Sequence, residues 1–100
     1  MLNFDVTDIL QIDNRITIFT GKIVAGEVHI GDNVALVSAS EKISFTVKSL
    51  EPKGFRHSGA IASCNVAIVT DALELSPFAG SMRWVGGHYE AQSLRIVGAK

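Results

Sequence analysis

The sequence predicts an all-β fold in a single domain, and three observations carry that prediction. Apolar residues alternate with polar ones over short stretches, which suits half-buried strands. Glycine-containing turns separate those stretches, and no apolar stripe has the helical spacing and length that an α/β fold needs. Many short strands fit either a sandwich or a barrel. Closure into a barrel is the simpler expectation, because it removes the exposed edges that recruit other chains.

Each element follows from its residues. Phe4-Asp5-Val6-Thr7-Asp8-Ile9-Leu10 opens with apolar residues at every second place and reads as the first strand. Asp13-Asn14-Arg15 is a polar turn. Ile16 to Thr20 is β-branched and aromatic, packs well on a pleated surface, and runs on through Gly21 to Val24. A glycine inside a strand marks a bulge, a corner or a close backbone approach, and Gly21 is assigned a structural, turn-like role of that kind. Ala25-Gly26 and Gly31-Asp32 turn the chain on either side of the short strand Val28-His29-Ile30. Gly26 and Gly31 reach positive φ cheaply, and Asp32 can bond its own backbone in the turn.

Val34-Ala35-Leu36-Val37 is a continuous apolar run, which fits a strand covered on both faces. The stretch Ile43 to Leu50 alternates, with Ile43, Phe45 and Val47 directed inward. Pro52 cannot donate to a ladder, so this strand should end near Glu51. The longest irregular stretch follows, from Glu51 to Gly59. Asn65 to Thr70 is a strand, Asp71 to Glu74 a turn or single helical turn, and Ser76 to Gly80 a loop. Met82 to Val85 is a strand broken by Gly86-Gly87, and Leu94 to Val97 is a last one. Val28, Ile30 and Val34 are expected inside, and Trp84 in the core or an interface.

Composition narrows the function. The 100 residues are 47% hydrophobic and 19% charged, with a net charge of −1. Clustered Lys and Arg, which tight binding to a phosphate backbone requires, are missing, so stand-alone binding to naked DNA or RNA is not expected, and DNA is not an expected partner. Cys64 is the one cysteine, which excludes an internal disulfide and a cysteine-based zinc site. No signal-peptide pattern or bilayer-length apolar run is present, so a cytoplasmic protein with no membrane contact is expected. Catalytic constellations are thin. Ser63-Cys64-Asn65 with His57 has nothing on paper to activate the thiol. His29, His57 and His88 are scattered without metal-ligand spacing, so no metal and no cofactor is expected.

One segment goes further. Thr20-Gly21-Lys22-Ile23-Val24-Ala25-Gly26-Glu27-Val28-His29-Ile30-Gly31-Asp32-Asn33-Val34 resembles a signature of the second, β-barrel domain of translational GTPases of the elongation factor Tu type. Phe4 to Ile9, Phe45 to Glu51, Ala62 to Ala67 and Gly80 to Met82 resemble flanking pieces of that domain in the same order. The resemblance covers roughly Phe4 to Val85.

What this resemblance implies is a small closed, antiparallel, Greek-key-like barrel over about residues 4 to 85. Residues 86 to 100 lie beyond the resemblance and are expected to form a C-terminal extension strand, which either adds to the barrel or pairs with a second copy. The chain has no G-x-x-x-x-G-K-[ST] sequence, so no enzyme activity is expected and at most it serves a GTPase as an accessory domain. The implied function is a non-catalytic module contacting tRNA, the ribosome or a GTPase nucleotide domain. The alternative is a stand-alone protein-interaction or structural barrel that has left translation, homodimeric through its C-terminal strand. Carried over residue by residue, the ligand site takes Asp8, Thr20 and Asn65, with Phe55-Arg56 for the family's Phe-Arg pair. Leu10 replaces the family's aromatic residue, and Asn14-Arg15-Ile16 replaces its Gly-Arg-Gly turn.

Overall fold

A computed structural model describes residues 2–51, 59–61 and 65–98. The first hairpin shows how the sequence sets the architecture. Strand β1 (Asn3–Ile12) and strand β2 (Ile16–Ala25) pair antiparallel across a turn in which Asp13 and Asn14 take positive φ. Short polar side chains tolerate that conformation best after glycine.

Strict alternation along β1 would carry Phe4, Val6, Asp8 and Leu10 to one face. It does not, because Val6 pairs with Gly21 while Asp8 pairs with Thr20. Thr7 is therefore an extra residue, a β-bulge that reverses the phase of the strand. Phe4 and Val6 are buried before it and Ile9 after it, while Asp8 and Leu10 turn outward. Thr7 fixes the bulge by donating from Oγ1 to the Thr20 carbonyl at 3.0 Å.

Gly21 lies opposite this irregularity, inside β2. It is not a turn residue. A Cβ there would lie 1.8 Å from the Asp5 carbonyl oxygen, so the strands approach too closely for any side chain.

Strand β3 (Glu27–His29) follows Gly26, whose φ is 77°. Val28 is fully buried, as the alternation predicts. Ile30 is not: it is 45% exposed. The strand stops at His29, and the chain turns at Gly31 (φ 95°), with the Asp32 amide donating to the His29 carbonyl at 3.1 Å. Ile30 occupies the corner, where the inward-outward rule no longer applies. Asp32 acts as expected, its carboxylate accepting from the His29 amide at 2.9 Å.

Strand β4 (Asn33–Val37) buries Val34, Ala35 and Leu36 in succession. The stretch expected as one strand divides into β5 (Lys42–Thr46) and β6 (Ser49–Glu51). Phe45 and Val47 are buried and Ile43 packs partly against the core. A short strand, β7 (Gly59–Ile61), pairs with β3, and β8 (Asn65–Asp71) pairs with both β2 and β6.

Residues 72–75 are irregular, and the helical turn comes later, as a 3-10 helix over Ser76–Ser81, where a loop was expected. Pro77 suits its first turn because the missing N–H would have no partner there. Phe78, 2% exposed, drives the segment into the core. Strands β9 (Met82–Val85) and β10 (His88–Ala91) form a hairpin around Gly86 and Gly87, both at positive φ.

The last strand, β11 (Arg95–Gly98), lies inside the sheet. It pairs with β1 on one side and β4 on the other, so both of its edges are filled. The main sheet runs β5-β4-β11-β1-β2-β8-β6, with β10 and β9 branching from β1. All its pairings are antiparallel, and its ladder is not closed among the described residues.

The two ends of that path, β5 and β6, are separated in the chain only by Val47 and Lys48. Val47 donates to the Asp32 carbonyl at 2.9 Å and accepts from the Gly31 amide at 2.8 Å. Lys48 donates to the Val69 carbonyl at 2.8 Å, and Thr70 Oγ1 donates to the Thr46 carbonyl at 2.7 Å. The core gathers inward residues of every layer, including Phe4, Phe19, Ile23, Leu36, Ile68 and Ile96. Phe19 and Phe45 stack at its centre with ring centroids 5.3 Å apart. No helix among the described residues is long and apolar enough to cross a membrane.

Candidate functional site

The Thr7 bulge also creates the site. By turning Asp8 and Leu10 outward, it sets them beside Thr20 and Ile18, their partners across the β1–β2 ladder. These four side chains floor a groove of about 460 Å³, and Gly86, Gly87 and His88 from the β9–β10 hairpin wall it. The hairpin is held there because β10 pairs with β1, with Glu90 opposite Asp8 and Tyr89 opposite Ile9.

Asp8 and Glu90 are like charges directly across the ladder, an arrangement that destabilises a sheet unless each is answered. His88 Nε2 stands 3.4 Å from Asp8 Oδ1, and Arg83 donates to Glu90 at 2.9 Å. The Thr20 hydroxyl donates to the Asp8 main-chain oxygen at 3.4 Å, the long end of the hydrogen-bonding range. The groove offers a carboxylate, a hydroxyl and an apolar floor, which suits holding a ligand.

Thr20 also borders a second depression of about 570 Å³, formed by Thr7, Gly21, Lys22, Glu51, Val66 and Ala67. Lys22 and Glu51 give it one charge of each sign. A larger cavity, about 660 Å³, lies where the β1–β2 turn meets residues 72–79 and β10. Gln11, Leu73, Glu74 and Tyr89 are among its lining residues, and neither Asp8 nor Thr20 is one of them. Gln11 Nε2 bridges the Leu73 carbonyl at 3.0 Å and Thr17 Oγ1 at 3.3 Å on one side of it.

Asp8 and Thr20 are thus brought together. Asn65 opens β8, with its backbone paired to Lys22, two places along the ladder from the Thr20–Ala67 pair. Phe55 and Arg56 lie outside the described residues, as do His57, Ser63 and Cys64. His29 is exposed, flanked by Glu27 at 3.6 Å and Asp32 at 3.8 Å. No metal-binding group of His, Cys, Asp and Glu occurs among the described residues.

His88 and the Gly86-Gly87 turn were not singled out by sequence reasoning as parts of the site. They belong to the segment beyond the family-like region, and only the β1–β10 pairing brings them to Asp8. Trp84 is not a core residue. It is 61% exposed and meets Tyr89 edge to face, with centroids 5.0 Å apart. No family model matches the chain, and no curated protein matches it.

Proposed function

We propose that the chain is a non-catalytic β-barrel binding module related to the second domain of translation elongation factors, contributing contacts to tRNA, the ribosome or a GTPase nucleotide domain. The observation that carries this reading is the cross-strand placement of Asp8 and Thr20 on one groove. Those are two of the residues that the family resemblance assigns to the aminoacyl end of tRNA. Barrel closure is part of the proposal. It is supported by Val47 and Lys48, which bond toward β4 on one side and β8 on the other while joining the two ends of the sheet.

The test is anisotropy titration of labelled aminoacyl-tRNA and deacylated tRNA at low and moderate salt. Preference for the acylated form is expected, weakened about tenfold or more by Asp8→Asn, the scale of one charge-assisted hydrogen bond. Absence of binding at low salt would remove the tRNA contact from the proposal.

A second reading, a protein-interaction barrel that has left translation, is favoured by the far end of the same face. Leu10, Ile12 and Ile16 are 37%, 40% and 39% exposed, and Ile12 sits directly opposite Ile16. Clustered exposed apolar side chains of this kind mark partner surfaces. This reading expects no tRNA affinity, and an Ile16→Asp variant that folds normally but no longer binds its protein partner.

A further inference from the structure

Strand β9 is the open edge of the β9–β10 branch. Among the described residues its one strand neighbour is β10. Its two faces differ sharply. Arg83 lies on the face of Glu90, to which it is hydrogen bonded at 2.9 Å. Trp84 lies on the face of Tyr89, whose ring it meets edge to face. An open edge carries unpaired N–H and C=O groups, and a large exposed aromatic beside it adds an apolar anchor.

We propose that this edge pairs with β9 of a second copy of the chain, antiparallel about a two-fold axis through Trp84. The register follows from charge and from the pleat. Residues opposite one another in an antiparallel ladder share a face, so a two-fold axis must pass through a residue and not between two. An axis through Arg83 sets the two Arg83 side chains directly opposite, like charge against like. An axis through Met82 runs the partner strand into the 3-10 helix Ser76–Ser81, and one through Val85 into the Gly86-Gly87 turn.

An axis through Trp84 separates the two Arg83 side chains and sets only Met82 against the turn, at Gly86, where an axis through Val85 would set both Trp84 and Arg83 against Gly86 and Gly87. Each Arg83 then faces Val85 of the other copy and keeps its own Glu90. The Trp84–Tyr89 pair of one copy continues into that of the other, as a row of four aromatic rings on one face. The self-complementarity of this register is what selects a second copy over an unrelated strand. The pairing stands whether or not the Asp8 groove binds tRNA. The expected C-terminal dimer contact thus moves from β11, which has no free edge, to β9.

Sedimentation velocity of the intact chain, from micromolar to millimolar concentration, tests the association. A concentration-dependent dimer is expected, and Trp84→Lys, which sets two charges opposite, should shift its dissociation constant upward at least tenfold. Cross-linking tests the register. In a Cys64→Ser background, Trp84→Cys places two sulfurs across a ladder pair whose Cα atoms are about 5 Å apart, within disulfide reach. Arg83→Cys places them on a diagonal of about 8 Å, beyond it.

With oxidised glutathione, Trp84→Cys should form the covalent dimer and Arg83→Cys should not. A monomer at millimolar concentration would overturn the proposal. So would equal cross-linking of the two variants, or a dimer untouched by Trp84→Lys.

Discussion

Replacing Gly21 by alanine is expected to destabilise the protein by about 2–4 kcal/mol, although it adds a single methyl group. That methyl would lie 1.8 Å from the Asp5 carbonyl oxygen, 2.9 Å from the carbonyl carbon and 3.2 Å from Cζ of Phe4. Contacts under 3.0 Å essentially never occur for a Cβ, so β1 and β2 would have to separate locally by about 1.2 Å. The obstacle is main chain and cannot rotate away.

Separation weakens ladder bonds around the Val6–Gly21 pair, each worth about 1 kcal/mol net. It also displaces Phe4, which is fully buried, and overpacking of that kind costs roughly 1–3 kcal/mol. Urea denaturation followed by far-ultraviolet circular dichroism reads the sum. With a slope of about 1–1.5 kcal/mol per molar for a domain this size, the midpoint should fall by about 2 M. Gly80→Ala is the control, since a Cβ there meets nothing within 4 Å. It should stay within about 0.5 kcal/mol of the parent. A Gly21→Ala midpoint that matches this control would refute the close-approach reasoning.

Other substitutions separate further parts of the structure. Phe78→Ala should cost about 3–5 kcal/mol by the same assay, because the ring of the 3-10 helix is 2% exposed. Thr17→Val should cost about 1–2 kcal/mol and Thr17→Ser much less, because the buried hydroxyl accepts from the Leu73 amide at 3.2 Å and from Gln11 Nε2 at 3.3 Å. Trp84 is the one tryptophan, so in dilute solution its emission should resemble that of free indole and be quenched readily by acrylamide. A blue-shifted, protected spectrum at micromolar concentration would contradict its exposure.

Much of the strand pattern was legible because it rests on local rules. Alternation located Phe45 and Val47, the apolar run marked β4, and turn chemistry put Gly26, Gly31 and Asp32 where the chain reverses. What escaped has a common cause, namely pairing with distant residues. The bulge at Thr7 is visible only against β2, so a simple alternating reading would turn Asp8 inward. Ile30 keeps the strand rhythm in sequence but lies past the end of the strand. The segment Ser76–Ser81 carries turn residues, and its helical geometry comes from burying Phe78. Half of the groove was legible in the same sense. Asp8 and Thr20 stood out by family resemblance, whereas His88 arrives through a ladder pairing spanning most of the chain.

The position of β11 governs how the molecule must be assembled. Its partners are Asn3–Asp5 near one end of the chain and Val34–Val37 further along, so Asn3 meets Val97 only after nearly everything between has been made. Until then a nascent chain carries two bare ribbons with nothing between them. Such long-range closure is slow, and unfilled ribbons invite intermolecular mispairing during the wait. Interruption before Arg95 should therefore yield insoluble product in place of a smaller working domain. Strand β11 acts as a keystone between β1 and β4, and each of those strands would lose a neighbour without it.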